Sequence, residues 1–243
     1  MTTDTSTRPP ARLSGEDASS WDTFDLKAMI PRGSGLCLDL GCGPGARQDL
    51  TRMGYDYLGL DRFDTAAADT LGTAERLPFR SASFDLVVAA SSFEHFSDPW
   101  AAAREVHRIL KPGGLVVASL SFLEPYHGHS YFHMSHLGAS KLFNDSGLLV
   151  TRLEPFEWTG IEASLQMMCR MRWVRWLSTL LLRPVLGLRR VLIRRVIART
   201  PDGPKKNRAL EFLEEERFRF TAGIKLCAQK PPRTNQDERR CGY

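Results

Sequence analysis

The chain has 243 residues, of which 42% are hydrophobic and 25% charged, and it carries a formal net charge of +5. That length can bury one substantial core, and that balance excludes a fibrous or wholly disordered chain. The charge is uneven: Leu165 to Arg208 holds twelve Lys and Arg against one acid, Asp202, a local balance of +11 that leaves −6 for the rest.

Met1 to Ser20 is rich in Thr, Ser, Pro and charge and lacks the apolar stretch of a secretory signal, so it reads as a flexible tail. Trp21 to Ile30 has near-helical apolar spacing and is broken by Pro31-Arg-Gly-Ser-Gly35, which predicts a short covering helix. Leu36 to Leu40 is an apolar run entering a Gly-rich turn, Arg47 to Met53 can continue as a helix, and Tyr57 to Asp61 reads as a second strand. Together these describe a βαβ unit with parallel strands.

Phe84 to Ala90 has the most continuous buried-strand pattern, followed by Leu115 to Leu120. Trp100 to Leu110 forms a helix between them, closed by Lys111-Pro-Gly-Gly114. Only about six residues separate Asp61 from Ala67, too few for a crossover helix, so a strand at Ala67 to Leu71 is expected to be short or irregular. Leu137 to Ser146 predicts another helix, with strands at Leu149 to Phe156 and Phe218 to Ala228 on either side of the basic segment. From Pro231 the chain reads as a solvated tail.

The five cysteines, Cys37, Cys42, Cys169, Cys227 and Cys241, are odd in number and never spaced as CxxC. This argues against a disulfide framework and against zinc, so no metal is expected and a reducing cytoplasm is the simplest compartment. No apolar run approaches the roughly 20 residues that cross a bilayer.

Asp39-x-Gly41-x-Gly43-x-Gly45 lies between a strand and a helix, where glycines permit positive φ and close approach of backbone to a ligand. Asp61 follows Gly41 by twenty residues, the spacing at which an acid ending the second strand accepts from both ribose hydroxyls. An adenosine site accounts for both features. The loop by itself also fits a structural turn, and Gly41 to Ala46 fits the G-x-G-x-x-(G/A) dinucleotide fingerprint.

Three ordered blocks, LDLGCGPG, AERLPFRSASFDLVVAASSFEHFSDPW and EVHRILKPGGLVVAS, resemble the type 11 family of class I, S-adenosylmethionine-dependent methyltransferases over Leu36 to Ser121. The resemblance implies an α/β, Rossmann-like domain over 21–230, with a mostly parallel sheet and an antiparallel last strand; the basic segment, which the resemblance does not cover, reads as a helical insertion at 160–217 before that strand. It implies S-adenosylmethionine as cofactor. Gly41, Gly43 and Gly45 would lie along its methionine and ribose portion, Asp61 with Arg62 beside it would hold the ribose, and Ala74 and Glu75 would contact adenine. Leu77 would pack on the ring, Asp39 would anchor the loop and the amino group, Cys42 would fill the loop, and the backbone at Ser91 would receive the amino group. Thr73 stands where the family usually has Asp.

Methyl transfer from a sulfonium needs alignment and, for a hydroxyl acceptor, a base. His95 follows the fourth strand, and His127, His129, His133 and His136 cluster beyond the fifth, so His95, His127 and His129 are the candidate bases or orienters. Tyr126, Tyr131 and Phe132 suit a sugar or ring-bearing acceptor. The expected reaction is methylation of oxygen on a small-molecule, sugar or lipid-linked acceptor. Two alternatives are an NAD(P)-dependent oxidoreductase using the same loop and a non-catalytic, membrane-associated protein on a degenerate fold. Residues 165–208 combine Trp173, Trp176 and a Leu run with arginines, as segments lying on an anionic membrane do, which makes peripheral membrane association one reading and a substrate lid the other. Nucleic acid is not an expected partner, because no RNA-binding module is recognisable.

Overall fold

The computed structural model describes residues 26–43, 45–63, 68–124, 129–156, 172–219 and 221–232. The tails read at 1–20 and 231–243 lie outside these apart from Pro231 and Pro232, as does much of the first half of the insertion. Seven strands form one sheet: β1 (Gly35–Leu40), β2 (Tyr55–Asp61), β3 (Thr70–Leu71), β4 (Phe84–Ala90), β5 (Leu110–Ser121), β6 (Leu149–Pro155) and β7 (Gly223–Gln229). Their order is β3-β2-β1-β4-β5-β7-β6, and β7 runs antiparallel to both β5 and β6 while the other pairs are parallel. The antiparallel last strand is as expected.

Strand alternation divides the core into two faces. Leu38, Leu40, Val87, Ala89, Val116, Ala118, Ile224 and Leu226 point to one face, covered by α2 (Pro99–Ile109) through Ala102, Val106 and Ile109 and by α3 (His136–Asp145) through Leu142 and Phe143. Cys37, Leu86, Val88, Val117 and Cys227 point to the other, covered by Leu50 of the short helix α1 (Arg47–Arg52) and by Leu26 and Met29. Asp98 caps α2 by accepting from the Ala101 N–H at 2.9 Å, and Ser135 caps α3 through the Gly138 N–H.

The expected elements differ from the observed ones in three places. The covering helix is a single 3-10 turn, Leu26–Met29, with residues 21–25 outside the description. α2 stops at Ile109 because Leu110 is already extended and pairs with Phe84, so Lys111 to Gly114 belong to the bulged start of β5 rather than to a helix stop. The last strand begins at Gly223, not at Phe218, whose ring stacks on His136 at 4.5 Å instead of joining the ladder. The short third strand is confirmed as two residues. Among its described residues the basic insertion contains two helices, α4 (Arg172–Arg199) and α5 (Pro204–Glu216).

Candidate active site

The ends of β1 and β2 lie in register, Asp39 beside Gly59 and Leu40 beside Leu60, so both carboxylates and the glycine loop reach the same edge of the sheet. This is the carboxyl edge at which open α/β sheets bind ligands. Gly41, Gly43 and Gly45 all have positive φ, at +71°, +49° and +81°, and the Gly41 and Cys42 amides donate to the Leu60 carbonyl, which fastens the loop across the strand ends.

Asp39 is 1% exposed. Its carboxylate accepts from the Ala46 N–H at 3.2 Å and the Tyr57 hydroxyl at 3.0 Å, so it anchors the far end of the loop. Burial pushes this carboxyl up to about 7, against the pull of those two hydrogen bonds and with the help of the nearby negative Asp61. The Tyr57 hydroxyl is in turn raised by burial and by the adjacent Asp39. Arg47 lies over the Tyr57 ring at 4.3 Å and pairs with Asp69 at 2.6 Å.

Asp61 is 9% exposed and accepts from the Gly43 N–H and the Phe63 N–H, one on each oxygen, at 3.0 Å. Each oxygen keeps a second lone pair for a ligand hydroxyl. A cleft of about 530 Å³ opens here, within the roughly 300–1,000 Å³ of small-molecule sites. Gly41, Asp61, Arg62, Thr73, Ala74, Glu75 and Ser91 line it, together with His95, His129 and Tyr131. The cofactor-side and acceptor-side candidates therefore share one cavity. Cys42 is buried, consistent with a loop filler.

Ser91 has φ +47°, a conformation a non-glycine residue rarely adopts, and its N–H donates to the Ser119 hydroxyl at 2.9 Å. Strain of this kind at a strand end is held only where the surroundings impose it. It turns Ser91 toward the cleft at the end of β4.

Of the expected adenine contacts, Ala74 and Glu75 line the cleft and Leu77 does not. Leu77 is 4% exposed, packs in the core and does not line the cleft: its N–H donates to Glu105 at 2.8 Å, while Arg108 donates to the Leu77 and Phe79 carbonyls, so α2 holds this segment inward. The Glu75 carboxylate accepts from the Ser97 N–H and hydroxyl, both at 2.9 Å. Burial would raise it, but these bonds hold it below the usual carboxylate range. Its side chain fixes the start of α2, which leaves its backbone and Ala74 to face a ring.

On the acceptor side, His127 and Tyr126 lie outside the described residues. His129 is exposed with φ +60°, and His95 is half-buried. Phe132 packs against the core and edge-on to Trp100 rather than presenting a stacking face, whereas Tyr131 is 61% exposed on the cleft. Phe63, Ser92 and Phe96 also line the cleft and were not singled out in the sequence. The signal for Phe63 was available: an aromatic two residues past the ribose acid, with Arg62 at 5.0 Å over its ring.

The glycines differ in what they tolerate. A Cβ at Gly41 would stand 2.7 Å from the Ser92 Oγ, but one at Gly43 would meet nothing within 4 Å. Gly43→Ala therefore carries left-handed strain alone, about 1–2 kcal/mol, and should lower Tm by a few degrees. Gly41→Ala adds the clash and should lower Tm clearly further in a thermal melt; equal shifts would mean that Ser92 moves aside freely.

The site does not suit a dinucleotide well. A nicotinamide cofactor's pyrophosphate sits at the amino end of the first helix, yet here the buried Asp39 carboxylate takes the Ala46 N–H at that end. A cationic group is the better neighbour for it. The cradle of unsubstituted loop backbone and the free lone pairs of Asp61 fit the adenosyl and amino acid portions of S-adenosylmethionine.

Residues 38–118 match the family described as methyltransferase domain. An uncharacterised methyltransferase from Mycobacterium sp. (strain KMS) is 30% identical over 149 residues, covering 54% of this chain, so the match spans 59% of that relative's length. Among solved structures, the cyclase SpnF aligns with TM-score 0.55 at 18% identity over 90% of this chain and 86% of that one. A Burkholderia thailandensis 1,6-didemethyltoxoflavin-N1-methyltransferase, bound to its substrate and S-adenosylhomocysteine, aligns with TM-score 0.51 at 11% identity over 87% and 76%. At these identities the structural likenesses establish the fold.

Proposed function

We propose that this chain, whose residues 38–118 match the methyltransferase domain family, is a class I, S-adenosylmethionine-dependent methyltransferase that transfers a methyl group to an oxygen of a small-molecule, sugar or lipid-linked acceptor. The observation that carries the reading is the shared cleft, lined by Gly41 and Asp61 as well as by His95, His129 and Tyr131. S-adenosylmethionine, when bound, supplies a methyl group already activated on sulfur.

The protein's own part is then alignment and proton management. Asp61 and the Gly41–Gly45 loop fix the adenosyl end, and Asp39 favours a positive charge beside the loop. His95 or His129 accepts the proton of an acceptor hydroxyl as it becomes nucleophilic, a task suited to imidazole near neutrality. Tyr131, exposed on the rim, offers a ring against which a sugar can lie. His133 and His136 are supporting rather than catalytic in this scheme: the first contacts the Ser130 hydroxyl at 3.1 Å and the second stacks on Phe218. A cytoplasmic location belongs to the proposal, supported by Cys37 and Cys227, buried and without a disulfide among the described residues.

His95→Ala and His129→Ala should leave S-adenosylhomocysteine affinity within about twofold while the general base lowers turnover by roughly 10²–10⁴. Transfer of labelled methyl to a panel of hydroxyl-bearing sugars and lipid-linked sugars measures this. Transfer that survives in both variants, or that goes to nitrogen or sulfur acceptors, would overturn the oxygen assignment.

A further inference from the structure

Helix α4 leaves an apolar stripe uncovered. Leu177, Leu181, Val185, Leu188, Leu192 and Val196 recur at intervals of three and four and are each between 40% and 65% exposed. At about 100° per residue they fall within one arc of the helix surface. Ile197, by contrast, is 7% exposed and points to the opposite side, so among the described side chains the helix meets protein there and turns the stripe outward.

The same helix carries eight arginines and no acid from Arg172 to Arg199. Arg189 flanks the stripe, while Arg195 and Arg199 lie at its C-terminal end, where long side chains can lay their stems on apolar surface and raise their charge to the rim. No helix among the described residues is long and apolar enough to cross a membrane, and Pro184 interrupts the hydrogen-bonding of this one. An apolar face bordered by cations on a helix that cannot span is the chemistry of a helix lying in a bilayer interface.

Charge decides among the occupants. A second copy would cover the stripe only by bringing two sets of arginines within a Debye length, with no acid on either helix to answer them. Nucleic acid would answer the arginines and leave the leucines in water. An anionic lipid surface satisfies both. We propose that α4 is an interfacial helix that docks this protein on anionic bilayers, with the Leu177 to Val196 stripe inserted below the headgroups and the arginines among them. The proposal stands apart from the methyl-transfer reading. The α4–α5 segment is joined to the site by the Phe218–His136 stack at the start of α3, just past the cleft residues His129 and Tyr131, so docking would hold the acceptor side close to the membrane.

The test is co-sedimentation of the full chain with vesicles of phosphatidylcholine plus phosphatidylglycerol, beside vesicles of phosphatidylcholine alone. The intact protein should sediment with the anionic vesicles. Leu188→Gln combined with Leu192→Gln should weaken binding at least about tenfold, and Arg195→Gln combined with Arg199→Gln by roughly fivefold per charge on anionic vesicles alone. Circular dichroism and S-adenosylhomocysteine affinity should be unchanged in both variants. Should a variant lose its fold, the intact protein's preference for anionic over neutral vesicles still decides. The proposal is overturned if the intact protein stays in solution with anionic vesicles, if the Gln variant binds as the parent does, or if sedimentation velocity shows a stripe-dependent dimer. Tighter binding to duplex DNA than to anionic vesicles would overturn it too.

Discussion

Asp61→Ala should weaken S-adenosylhomocysteine binding by about 1.5–3 kcal/mol, the scale for losing hydrogen bonds to a charged acceptor, or roughly ten- to a hundredfold in Kd. The carboxylate stands at the end of β2, lines the cleft and already orients the loop through the Gly43 N–H. Removing it deletes the acceptors for a ribose diol and also loosens Gly43. Asp61→Asn separates the two effects, because an amide can still accept from a backbone N–H but presents a donor where a hydroxyl hydrogen must be received. Calorimetric titration of both variants, with thermal melts beside them, should show affinity falling further than stability in each. An unchanged affinity in Asp61→Ala would move the ribose elsewhere.

The second large effect is one of pH, and its source is Asp39. The folded protein holds this carboxyl at about 7, against an ordinary 3.8, chiefly through burial. The folded state therefore binds a proton that the unfolded state has released, and this group's contribution to stability falls as pH rises between those two values. A ligand ammonium near Asp39 favours the ionised form, so binding releases that proton below pH 7. Affinity for S-adenosylhomocysteine should accordingly rise with pH up to about 7 and then level, by at most roughly tenfold per pH unit. Titrations in buffers of different ionisation heat should detect the proton release, and Asp39→Asn should abolish it. A slope that persists in Asp39→Asn would place the titrating group elsewhere.

These expectations rest on residues that could be found without the structure, and the reason is local. The loop glycines and Asp61 are bound to strand ends by chain connectivity: a strand, a turn that needs positive φ at Gly41, Gly43 and Gly45, and a second strand one crossover away. The apolar runs of β1, β4 and β5 marked them as buried strands in the same local way. The place of Leu77 in the core and the anchoring of the Glu75 carboxylate depend on partners far along the chain. Glu105 and Arg108, about thirty residues later on α2, draw the Leu77 segment into the core, and Ser97 captures the Glu75 carboxylate. Nothing in the segment itself announces those partners.

Phe218 shows the same limit. Its neighbours alternate as a strand would, but a stacking partner at His136 and the turn after α5 take it out of the ladder. For α4, the sequence left a lid and a membrane segment as the two readings. The exposure of six apolar residues along one side is tertiary information, since it depends on where Ile197 is held.

The identity of the cofactor is tested most directly by a calorimetric titration of the full chain with S-adenosylhomocysteine, run beside NAD and NADP. The expected result is saturable binding of S-adenosylhomocysteine at one site and none of either dinucleotide. Saturable binding of a dinucleotide with no response to S-adenosylhomocysteine would contradict it and would turn the same glycine loop over to oxidoreductase chemistry.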